Sequence, residues 1–115
     1  MIQTHEKESD IDIVTISGRL VATDAPEARE NLKAIVEAGS GKLIIDLSRV
    51  SFIDSSGLSV LISAFKLIRA KDGRMLLSGI SKNVQTLLEL TRLSEIFEMF
   101  ASTEAAVDAI GKAGV

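Results

Sequence analysis

The sequence predicts an α/β fold in which strands and helices alternate, βαβαβα-like, around a mixed sheet. Three observations carry that expectation. Leu43-Ile44-Ile45-Asp46-Leu47 is a dense apolar run, as in strands covered on both faces. An amphipathic helical segment follows it, and after Gly73 the run Met75-Leu76-Leu77 returns to strand character. Strand, helix and strand at this spacing make a parallel, right-handed crossover unit.

The elements follow in order. Ile11, Ile13 and Ile16, with Val14 between them, read as a first strand stopped by Gly18, and Arg19 to Ala22 as a second, short one. Asp24 reads as the N-cap of a helix, with Glu27 at capping-box spacing and Pro26 in the first turn, where a missing N–H costs little. Ala28, Leu32, Ile35 and Val36 supply its apolar stripe, and Gly39-Ser40-Gly41 ends it. The strand Leu43 to Leu47 leads through a loop, Ser48 to Asp54, into a helix from Ser55 to Ala70. Arg74 to Ser78 is the next strand. A helix follows Ser81 with Val84, Leu87 and Leu88 inward, then an edge strand from Phe97 to Phe100. A last helix opens near Ser102 or Thr103, with Ala106, Val107 and Ile110 inward and Asp108–Lys112 as an exposed i,i+4 pair.

Composition narrows the function. At 115 residues the chain suits one domain, residues 1–115, that buries roughly 65% of its unfolded-chain surface. It has no cysteine, which excludes disulfides, thiolate nucleophiles and Cys-based metal sites. A net charge of −3 argues against direct nucleic-acid binding, and four aromatics, all Phe, offer little for base stacking. The most apolar stretch, Leu58 to Ile68, is broken by Ser59, Ser63 and Lys66, so no membrane insertion is expected. The first eight residues lack the order of a secretory signal, and the expected location is cytoplasmic.

Catalytic constellations fail on inventory. The single histidine, His5, lies in a polar N-terminal segment expected to fray, and no nucleophile elbow or nucleotide-binding glycine motif occurs. Glu6, Glu8, Asp10 and Asp12 alternate but lack the glycine and distal glutamate of a calcium loop, and read as a solvent-facing strand edge. Met75 and Met99 read as core filler. No cofactor and no metal is implied.

One segment does not reduce to packing: Val50-Ser51-Phe52-Ile53-Asp54-Ser55-Ser56-Gly57-Leu58. Asp54, Ser55 or Ser56 can cap the helix by accepting from its unpaired first N–H groups, and capping alone would account for them. Two adjacent hydroxyls exceed what one cap needs. Gly57 in a first helical turn costs up to about 1 kcal/mol relative to Ala and leaves room for another backbone.

Phe52-Ile53-Asp54-Ser55-Ser56-Gly57-Leu58, with the strand before it and the helix after it, resembles the bacterial anti-sigma factor antagonists of the STAS domain family. The likeness extends to the Ser17-Gly18-Arg19-Leu20 turn, the helix after Asp24, the Gly73 stop and Ser81 before its helix. It implies a four- to five-stranded mixed sheet with helices mainly on one side, and no catalytic activity. It implies that Ser55, immediately after the aspartate, is the phosphate acceptor, with Ser56 as the other candidate. Asp54 would orient the acceptor, and Ser56, Gly57 and Leu58 would belong to a docking surface. The implied partners are an anti-sigma factor serine kinase, bound by the unphosphorylated form so that a sigma factor is freed, and a metal-dependent serine phosphatase that resets the switch.

The sequence departs from the family where many relatives carry an acid directly after the Gly-x-Leu turn. Val21 stands there, and Asp24 is the nearest acid available to a partner. The alternative function is a STAS subunit that does not switch and acts as a scaffold in a signalling or transport complex.

Overall fold

The computed structural model describes residues 1–112. Among the described residues, five strands run β1 (Ile2–Glu8), β2 (Ile11–Leu20), β3 (Lys42–Ile53), β4 (Arg74–Ser78) and β5 (Glu98–Phe100). Four α-helices accompany them: α1 (Ala25–Ala38), α2 (Ser55–Ala70), α3 (Lys82–Leu90) and α4 (Thr103–Lys112). The strands lie in chain order across one mixed sheet, β1 antiparallel to β2 and every other neighbour parallel.

Alternation along the strands divides the apolar residues between two faces. Val14, Ile16, Leu43, Ile45, Met75 and Leu77 point to one, where α1, α2 and α3 cover them with Leu32, Leu61 and Leu88 among others. Ile11, Ile13, Ile44 and Leu76 point to the other, covered by Ala106 and Ile110 of α4. Three helices thus lie on one face and one on the other, in keeping with helices packed mainly on one side. Met75 is core, and Met99 packs at its margin.

Helix ends follow their local signals. Gly39 caps α1, the Ser81 hydroxyl oxygen accepts from the Val84 N–H at 3.3 Å, and Ser102 accepts from the Ala105 N–H at 3.1 Å. At the end of α2, Asp72 adopts φ 56° and the Gly73 N–H reaches back to the Ile68 carbonyl at 2.8 Å. The expected Asp108–Lys112 pair involves a side chain outside the described ones.

Several expectations are corrected. The N-terminal segment is β1 rather than a frayed end, because its backbone pairs along β2 from Ile2↔Ser17 to Glu8↔Ile11. His5 is held there, its Nε2 2.8 Å from the Asp12 carboxylate, with the Lys7 ammonium 3.5 Å from the same oxygen. Asp12 therefore does not share a solvent-facing edge with Glu6 and Glu8; it is buried beside the end of α1. Arg19 to Ala22 is not a separate strand, since β2 continues through Gly18 (φ +90°) to Leu20.

Ser48 to Ile53 is likewise strand and not loop. The pairing of β2 with β3 runs to Leu20↔Ile53 across two bulges, each placing an extra residue in β3. Polar side chains satisfy backbone groups beside them: Asp46 accepts from the Ser48 N–H at 2.9 Å, and the Ser51 hydroxyl donates to the Gly18 carbonyl at 3.3 Å. That polarity is what made the segment read as loop. Finally, Asp24 occupies the N-cap position of α1 but makes no side-chain cap bond. Its carboxylate lies 3.8 Å from the Met1 ammonium instead.

Candidate functional site

The carboxyl ends of β2 and β3 open onto one end of the sheet, where the turn into α1 meets the start of α2. Side chains at such strand ends are held by a rigid sheet yet face outward. The residues singled out by sequence, 54–58, form the first turn of α2 here.

Asp54 organises it. Its backbone is extended, and its Oδ1 accepts from the Gly57 N–H at 3.0 Å, the bond expected of an N-cap. Its Oδ2 accepts from the Ala22 N–H at 3.2 Å, 32 residues away in the turn before α1. Asp54 also donates its own N–H to the Leu20 carbonyl at 3.4 Å, and its carbonyl accepts from the Leu58 N–H at 3.0 Å. One residue thus fixes the helix start to the end of β2 from both its side chain and its backbone. Sequence reasoning found the cap but not the Ala22 tether, for which no local signal exists.

Ser55 is the first residue of α2 and is exposed, whereas Ser56 is half-buried. Among the described residues, neither hydroxyl is engaged by another side chain. The Ser56 carbonyl accepts from the Ser59 hydroxyl at 2.7 Å, and Ser59 in turn accepts from Arg29 of α1 at 2.9 Å. The N–H groups of Ser55 and Ser56 have no protein acceptor among the described residues, leaving a partial positive charge beside the Ser55 hydroxyl.

Gly57 and Leu58 are both buried, Leu58 at 7% exposure in the core and Gly57 against the Leu20 carbonyl. A Cβ on Gly57 would collide with that carbonyl and come within 2.8 Å of Ile53 Cγ2. Another backbone does approach where the side chain is missing, and it is this chain's own β2.

Phe52 is outside, 48% exposed, with the Arg19 guanidinium 5.2 Å from the centre of its ring. The bulged end of β3 carries it outward beside buried Ile53. Asp24, half-buried, sits three residues before the α1 proline–glutamate turn ends, close in sequence to Ala22 and to the Asp54 tether. Among the described residues no group of His, Asp or Glu is arranged to hold a metal ion. No helix of the described residues is long and apolar enough to cross a membrane. Chemically, the site offers an accessible hydroxyl on a rigid helix start.

The STAS domain profile matches residues 2–106. The anti-sigma-B factor antagonist of Listeria monocytogenes is 35% identical over 98 residues, covering 85% of this chain and 86% of that protein. Among solved structures, an anti-sigma-factor antagonist (STAS) domain protein from Planctomyces limnophilus superposes with a TM-score of 0.87 at 20% identity, covering 95% and 97% of the two chains. The Bacillus cell fate determinant SpoIIAA in its phosphorylated form superposes with a TM-score of 0.76 at 21% identity, covering 95% and 99%.

Proposed function

The chain belongs to the STAS domain family, and from that premise we propose that it is an anti-sigma factor antagonist regulated by phosphorylation of Ser55. Unphosphorylated, it binds an anti-sigma factor that is also a serine kinase and so frees the sigma factor. The kinase modifies Ser55 and the pair separates, and a metal-dependent serine phosphatase restores the free hydroxyl. The observation that carries this reading is the Ser55 hydroxyl, exposed at the first position of α2 on a start locked by Asp54. The half-buried Ser56 is the less accessible of the two. A structural neighbour solved in a phosphorylated form supports the same chemistry on this fold.

Magnitudes favour a switch that acts at the interface. A phosphate adds about −1.5 to −2 charges. Within the domain it sits at a helix N-terminus, a position that favours anions by about 0.3–1 kcal/mol and does not unfold the helix. The Asp54 carboxylate beside it offsets part of that gain. Across a docked surface the same dianion must shed water against whatever faces it, which costs several kcal/mol when it is left unpaired. Turning a 99:1 complex into 1:99 requires about 5.5 kcal/mol, which the interface can supply and the helix dipole cannot.

The test is incubation with ATP and the anti-sigma factor kinase, followed by mass mapping of the modified residue. Affinities of the Ser55→Ala and Ser55→Asp variants for that kinase are measured alongside. Phosphate on Ser55, tight binding by Ser55→Ala and weak binding by Ser55→Asp are expected. Equal binding by both variants, or no phosphate on Ser55, defeats the proposal.

A further inference from the structure

We infer that the groove between the end of β3 and α3 is a docking surface for a segment of the partner that carries an apolar anchor and a carboxylate; this rests on the function proposed above. The groove encloses about 370 Å³ and is lined by Ser51, Phe52, Ile53, Asn83, Val84 and Leu87. That is room for one or two side chains, and the lining combines apolar Phe52, Ile53, Val84 and Leu87 with polar Ser51 and Asn83. Phe52 forms one wall, and half of its surface remains open to water.

Charge decides what fits. Arg19 lies over the Phe52 ring, and among the described residues it has no carboxylate partner. No acidic residue lines the groove, although the chain as a whole carries a charge of −3. A guanidinium with no carboxylate partner, stacked on the wall of a groove that no acid lines, is complementary to a carboxylate on the docked surface. Aromatic and arginine side chains together are the usual energetic centres of interfaces.

Phe52 and Ile53 immediately precede Asp54 and Ser55, so a partner seated in the groove also faces the acceptor hydroxyl. A phosphate on Ser55 then repels the carboxylate that Arg19 attracts. The groove thereby gives the interface a point at which one added dianion does most damage.

Binding of the purified anti-sigma factor kinase to the full chain is measured by titration calorimetry for wild type, Arg19→Glu, Arg19→Lys and Phe52→Ala. Arg19→Glu and Phe52→Ala are expected to weaken binding about tenfold or more, whereas Arg19→Lys retains most of it. Wild-type binding weakens with added salt, and the Arg19→Glu complex has lost that dependence. Phe52 and Arg19 are exposed, so unchanged amide spectra of the free variants separate lost docking from lost folding. If both variants bind as wild type while Ser55→Asp does not bind, the docking inference falls and the phosphorylation switch stands. If wild type neither binds the kinase nor is phosphorylated by it, both fall. If Arg19→Glu instead abolishes self-association seen by sedimentation, the occupant is a second copy and the inference is wrong.

Discussion

The Leu20 carbonyl occupies the space that a side chain on Gly57 would need, so the end of β2 and the first turn of α2 meet backbone to backbone. The approach is possible only at glycine, and it sets how close α2 stands to the sheet on which Ser55 is displayed.

Gly57→Ala is therefore expected to destabilise the protein. Alanine gains about 1 kcal/mol in helix propensity over glycine, but overpacking against a carbonyl and Ile53 Cγ2 costs about 1–3 kcal/mol. A lowered urea midpoint checks this. A raised midpoint would mean that α2 can shift outward freely.

Asp54→Ala removes the helix cap and the tether to Ala22 together. The cap alone is worth about 0.5–2 kcal/mol. Asp54→Asn retains one carbonyl oxygen, enough for either Gly57 or Ala22, and is expected to lose less. Denaturation curves of the two variants give the order, and amide exchange at Ala22 reports the tether.

Phosphorylated Ser55 is expected to leave the fold in place. Amide shift changes should concentrate in residues 52–58 and 21–24, which share the Asp54 bonds, and the melting temperature should hold or rise slightly. Wholesale shift changes throughout the sheet would contradict a switch confined to the interface.

Arg74 and Glu98 tie β4 to β5 through two charge-assisted bonds of 2.6 and 2.7 Å. Those bonds hold the Glu98 carboxyl below its ordinary value of 4.5 and raise Arg74 above its own. A depressed carboxylate contributes stability above its unfolded pKa and loses it as pH falls through the lower folded value. The side chains are 35% and 46% exposed, so solvent screening limits the pair to about 0.2–1 kcal/mol. Glu98→Gln should therefore lower the urea midpoint at neutral pH, with the difference closing in strongly acid buffer.

Local chemistry made much of this architecture readable. The bounds of α2 and β4 agree with the sequence reading because Asp54, Gly73 and Ser81 act on groups within three to five residues of themselves. The strand β1 was not readable, since Thr4 to Glu8 are polar and only their backbone pairing with β2 makes them a strand. The continuation of β3 through Ser48 to Ile53 was hidden by the same polar side chains that satisfy its bulges. Asp12 looked like one of a row of surface acids, and its burial depends on His5, Lys7 and the end of α1.

Sequence by itself determined the alternation of strands and helices, the start of α2 and the pair of hydroxyls there. Each of these follows from apolar period or from bonds closed within a single turn. Tertiary structure alone decided which hydroxyl faces water, that Gly57 and Leu58 turn inward, and that Phe52 stands out beneath Arg19. Those outcomes depend on contacts between segments some 30 residues apart, such as Ala22 with Asp54 and Leu20 with Gly57, and a distance along the chain carries no record of who meets whom.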